Sequence, residues 1–184
     1  METKEFYGIQ FKVYSDKKIE GDFIKEDEAV YFENDVEITG NLKVKYLKTE
    51  KSINVHKNYE VEKWEEIGWY QEIGGSQKIG WYQKIGESQK IGESQEIGGD
   101  ATIEYGINVG LSIKVKGTLK FGKRLFAGIC SWKDITEEDK TITCGKLEGG
   151  EVVCGIVKET GLVKEEESEE EIIELNGKKY QLIK

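Results

Sequence analysis

From Ile67 onward an aliphatic residue returns at every sixth position, as Ile67, Ile73, Ile79, Ile85, Ile91, Ile97, Ile103, Val109 and Val115, with glycine directly after each of the first six. The unit reads Ile-Gly-x-x-Gln-(Lys/Glu) and occupies residues 67–120. Six is a multiple of the strand period of two and a poor match to 3.6, so a helix would spread these isoleucines around its circumference. One such stretch cannot bury its own aliphatic side chains, whereas stacked coils can, and hexapeptide periods are a signature of parallel β-helices. The expected fold is therefore all-β: a parallel β-solenoid, handedness open, with a small β segment after it.

Three hexads per coil give a three-sided solenoid in which residues about 18 apart stack at the strand spacing of about 4.8 Å. The charges agree with that register. Glu72 then lies beside Lys90, Lys78 beside Glu96, and Glu96 beside Lys114, while Ser76, Ser94 and Ser112 form one column. Opposite charges on neighbouring strands are favourable. A flat coil of two hexads is the competing arrangement, because Trp69-Tyr70 and Trp81-Tyr82 are 12 residues apart and would then stack directly.

Gln71, Gln77, Gln83, Gln89 and Gln95 continue in the same phase as Ala101, Ile107, Ile113 and Leu119. This aliphatic succession points the position inward. Buried amides require hydrogen bonds, so glutamine ladders along the solenoid axis are expected, with corners wide enough to solvate the amides as the alternative. The hexad glycines are expected at corners where φ is positive.

Around the regular block the pattern loosens. Residues 1–18 read as an N-terminal strand or cap, with Ile9, Phe11 and Val13 alternating. Val30, Val36 and Leu42, then Val55 and Val61, keep the six-residue step with a slip between, so the solenoid is expected over residues 19–126. A C-terminal β cap is expected over 127–164, with Leu147-Glu148-Gly149-Gly150 as a hairpin turn. An acidic linker follows at 165–171, then a β-hairpin over 172–184 with Asn176-Gly177 at its turn. Proline is wholly absent, as suits central strands.

The net charge of −9 repels a nucleic-acid backbone, and no basic patch stands apart from the acids. The first residues lack the apolar run of a signal peptide and no apolar stretch is long enough to span a membrane, so a cytoplasmic protein is expected. Cys130, Cys144 and Cys154 match no common zinc spacing and read as free thiols, although Cys144 and Cys154 would face each other across the expected hairpin. His56 is the sole histidine, and alternation with Val55 points it outward. No catalytic, cofactor or metal residue is assigned. The corner aromatics Trp69, Tyr70, Trp81 and Tyr82 are the candidate binding surface for a sugar or a protein, with rungs that shield the core as the alternative.

The phrases Ile19-Glu20-Gly21-Asp22-Phe23 and Val36-Glu37-Ile38-Thr39-Gly40-Asn41-Leu42-Lys43-Val44 resemble the bactofilins, polymer-forming bacterial cytoskeletal proteins built on a three-sided parallel β-helix. The likeness covers roughly residues 19–126 and implies a non-enzymatic scaffold. The hexads also look like those of hexapeptide acyltransferases, whose histidine general base finds no counterpart beyond His56. The expected function is a structural solenoid that self-associates as a dimer through one end or serves as a spacer. The alternative is binding of a glycan or protein partner through the corner aromatics, and acyl transfer stands last.

Overall fold

The structure, a computed structural model, describes residues 2–161 together with the strands Ile172–Leu175 and Lys178–Gln181. Each regular hexad supplies a three-residue strand and a three-residue corner. In Gln71–Ile73, Gln77–Ile79, Gln89–Ile91 and Gln95–Ile97 the first and third residues are buried and the middle one points outward. Gln71–Ile73 pairs in parallel with Gln89–Ile91, matching Gln71 to Gln89, Glu72 to Lys90 and Ile73 to Ile91. Three hexads thus close one coil, and the protein is an all-β parallel solenoid of about eight turns. The two-hexad coil does not form.

The three faces can be named by their first regular strand. Ile53–Val55, Gln71–Ile73, Gln89–Ile91 and Ile107–Val109 stack on the Gln71 face. Tyr59–Val61, Gln77–Ile79 and Gln95–Ile97 stack on the Gln77 face, and Trp64–Ile67, Tyr82–Ile85 and Ala101–Ile103 on the Gln83 face. The expected outer columns are present: Lys90 Nζ lies 2.6 Å from Glu72 and Lys114 Nζ 3.6 Å from Glu96, and the Ser94 and Ser112 hydroxyls are 3.4 Å apart. Exposed pairs of this kind add little stability, on the order of 0–1 kcal/mol each, but they favour one register over its neighbours.

The hexad glycines correct the expectation. None of those at 68, 74, 80, 86, 92 and 98 has a positive φ. A Cβ on Gly86 would instead collide with the carbonyl oxygen of Gly68, one coil below, and one on Gly98 with that of Gly80. Glycine is needed here for close stacking of corner on corner, not for a left-handed backbone.

At the N-terminal end, Thr3–Phe6 and Ile9–Tyr14 form an antiparallel hairpin, and Lys12 to Tyr14 begin the stack by pairing with Val30 to Phe32. The Tyr14 ring meets Phe23 edge-on at 5.0 Å and Phe32 at 6.0 Å, closing the core from below. The remaining hairpin aromatics lie across the outside of the Gln83 face. Phe6 stacks on Tyr31 at 5.2 Å, while Phe11, fully buried, meets Trp64 at 5.7 Å and Tyr46 at 6.4 Å. This second apolar cluster exists because Tyr31, Tyr46 and Trp64 point outward on successive coils, where they need a cover.

Beyond Phe126 the coil continues. Ile113–Ala127 passes along all three faces, Thr141–Cys154 follows it in parallel, and Ile156–Glu159 pairs with Thr141 to Cys144. The hairpin turn expected at Leu147 to Gly150 is absent: Leu147 stacks on Leu119, Glu148 on Lys120 and Gly149 on Phe121. A turn there would have uncovered the buried Leu119 and Phe121. Ile172–Leu175 and Lys178–Gln181 pair antiparallel, as the Asn-Gly signal requires, and the acidic run at 165–171 lies outside the described residues.

Coil arithmetic gives a direct test. Deleting residues 89–106 joins Ser88 to Ile107 and sets Ile107 over Gln71, so the variant is expected to melt cooperatively with β-type circular dichroism. Deleting only 89–105 reverses the facing of every later side chain and is expected to leave the C-terminal coils unfolded.

Candidate functional site

The structure concentrates unusual chemistry along its axis. Glu65, Gln71, Gln77, Gln83, Gln89 and Gln95 are each at most 2% exposed, and Tyr59 beneath them is 1% exposed. All occupy the first inward position of successive hexads. Gln95 Nε2 donates to the side-chain oxygens of Gln77, Gln83 and Gln89 at 3.0, 2.9 and 2.8 Å. Gln89 Nε2 donates to Gln71 at 2.6 Å and Gln77 at 2.9 Å, and Gln77 Nε2 to Gln71 at 2.9 Å. Every amide donates toward the N-terminal end. The series terminates on Glu65, whose Oε1 accepts from Gln83 at 2.6 Å, Gln77 at 3.1 Å and Gln71 at 3.2 Å, while the Tyr59 hydroxyl donates to Oε2. At the other end Gln95 Oε1 has no partner among the described residues.

Glu65 therefore gives the array its direction. Burial raises its carboxyl from 4.5 to about 7, although the Tyr59 hydroxyl and the Gln83, Gln71 and Gln77 amides each pull the other way. Burial also pushes the Tyr59 phenol well above its ordinary range, with the Glu65 charge adding to it. As a carboxylate, Glu65 offers only acceptors, and each surrounding group presents a donor. The glutamine ladder expected from the sequence is thus present, and Glu65 was overlooked. Counting back six from Gln71, and six again, would have found both Glu65 and Tyr59.

On the outside, the candidate aromatics separate. Trp69 and Tyr70 form the corner leading into the Gln71 face, whereas Trp81 stands at the corner leading into the Gln83 face and Tyr82 opens the strand there. Trp69 and Trp81 are exposed, and Lys63 Nζ lies 5.6 Å from the Trp81 ring. They make no shared platform. Tyr82 instead stands one coil above Trp64, which stands one coil above Tyr46. The hairpin tip Tyr7 meets Trp64 edge-on at 5.6 Å, so Tyr7, Trp64 and Tyr82 frame a cleft of about 340 Å³ with Glu66 and Lys84. Trp64, 18 residues before Tyr82, follows from the coil register but was overlooked, whereas Tyr7 gave no signal in sequence, since the hairpin's fold-back cannot be read from the hexads.

His56 is exposed and pairs with Glu37 at 2.9 Å. Cys144 is buried on the Gln77 face above Val115, whereas Cys154 pairs with Phe126 on another face, so the two do not oppose each other. Burial pushes the Cys144 thiol up. All three cysteines are free, and among the described residues no cluster of three or more His, Cys, Asp or Glu is placed to hold a metal. Among the same residues no helix is long and apolar enough to cross a membrane.

The class these features define is the parallel β-solenoid. No family model, no curated protein and no solved structure matches the chain.

Proposed function

We propose that this protein is a non-enzymatic structural solenoid, a stiff scaffold or spacer that joins a second copy through its N-terminal end. The observation that carries the reading is where the hexads spend their residues. Two of six fill the interior, one is a glycine for stacking, and outward charges pair one coil away, as in Lys90 with Glu72 and Lys114 with Glu96. Such a design repeats a shape.

The N-terminal end supports association. Lys18 to Ile19 and Phe23 to Lys25 pair only with the coil above them among the described residues, which leaves strand edges facing away from the stack. Ile24 on that edge is 45% exposed. The neighbouring Glu20, Asp22, Lys25, Glu26 and Asp27 favour one complementary partner over indiscriminate strand addition, so a discrete dimer is expected ahead of bactofilin-like filaments. Light scattering coupled to size exclusion at about 10 µM tests this: the chain should elute with a dimer's mass, and Ile24→Asp should shift it to a monomer with unchanged circular dichroism. A strict monomer removes self-association and leaves the spacer role alone.

A further inference from the structure

We propose that the cleft between the hairpin tip and the Tyr82 corner is a binding site for an acidic sugar, a pyranose that carries a carboxylate. This goes beyond the structural role and does not depend on it.

The first observation is Tyr7. It occupies the first central position of a two-residue hairpin turn with φ of +56°, followed by Gly8 at +76°, and no other non-glycine residue among the described ones has a positive φ. Turns of this kind favour Asn, Asp or Gly at that position, and strained backbone of this sort gathers at ligand sites. Tyr7 adds little to the core, being 75% exposed. What the strained turn achieves is to stand a phenol ring against Trp64 and direct its hydroxyl to Glu66 Oε2 at 3.0 Å, forming one wall of the cleft. Tyr82 forms the facing wall. At about 340 Å³ the space falls within the range of small-ligand sites, roughly 300–1,000 Å³.

The polar groups select the ligand. Burial would raise the Glu66 carboxyl, but the bond and charge of Lys48 outweigh it and hold it below its ordinary value. Lys48 Nζ sits 2.6 Å from Glu66, and Lys84 Nζ lies 3.4 Å from it on the open side. Two ammoniums against one carboxylate leave a net positive charge in a chain of −9. A cationic ligand is disfavoured, since Lys48 already lies 5.2 Å from the Phe6 ring and 5.8 Å from the Tyr7 ring. A ligand suited to the site presents an apolar face to the rings, hydroxyls to Glu66 and an anionic group to Lys84, which retains N–H donors beyond its long contact. A uronic acid ring has all three.

Isothermal titration calorimetry of the full chain with trigalacturonate is the test. Saturable binding is expected, weakened at least tenfold by methyl esterification of the sugar and at least tenfold by Lys84→Gln. It should be abolished by Tyr82→Ala and unchanged by Tyr105→Ala on another corner. Melting curves check that each variant is folded. No heat with trigalacturonate at millimolar concentration, binding indifferent to both Tyr82→Ala and Lys84→Gln, or benzoate binding as tightly as the sugar would each overturn the proposal.

Discussion

Replacing Gln89 with glutamate is expected to cost about 3–5 kcal/mol and to lower the thermal midpoint at pH 8 by on the order of 10 °C. Gln89 is 1% exposed, and its Nε2 donates to two glutamine oxygens at 2.6 and 2.9 Å. A carboxylate would turn both contacts into oxygen against oxygen and bury a charge with no cation beside it. Gln89→Leu, which removes the donor without adding charge, should cost less, about 1–3 kcal/mol, for the acceptors left short of a partner. Thermal melts of the three proteins decide the order. An unchanged midpoint for Gln89→Glu would mean that the amides face solvent.

The second large effect is a dependence on pH that Glu65→Gln should remove. With an ordinary carboxyl at 4.5 in the unfolded chain and about 7 in the folded one, both states hold the proton below 4.5. Between those values the unfolded chain releases it while the folded chain keeps it, so stability falls as pH rises, and above about 7 the full cost of about 3 kcal/mol persists. At position 65 a glutamine carries no charge and can donate to the Tyr59 hydroxyl, which extends the ladder by one rung. From pH 5 to pH 8 the native protein should therefore lose about 6–12 °C more in thermal midpoint than Glu65→Gln. Other carboxylates are common to both proteins and cancel in the comparison. Parallel curves for the two would mean that burial does not hold a proton on Glu65.

What could be read in advance follows from how local each determinant is. The coil size was legible because a register of 18 sets Glu72 beside Lys90 and Glu96 beside both Lys78 and Lys114, whereas a register of 12 would set Lys78 beside Lys90. The inward glutamines were legible because Ile107 and Ile113 succeed them in phase. The hexad glycines were recognised for the wrong reason, since a clash with the carbonyl one coil below is invisible until coils are stacked. The continuation through Thr141–Cys154 was missed because its strand carries Gly149 with φ of +128°, which in sequence looks like a turn. Part of the cleft was hidden for a related reason. Tyr82 stood out, and Trp64 lies one coil below it at the 18-residue register, but Tyr7 is 75 positions away and meets them through a hairpin laid over the outside of the coil.

The stacking of interchangeable hexads gives the molecule the behaviour of a threaded screw. Gain or loss of one hexad preserves the inward phase, yet it moves everything C-terminal to it by a third of a revolution about the axis as well as along it. Only a change of three hexads alters length at constant azimuth. In a lineage that lengthens by duplicating this DNA, reach and the compass bearing of the far end relative to the hairpin and its cleft would therefore change together, and successive copy numbers would point the two ends along three bearings in rotation.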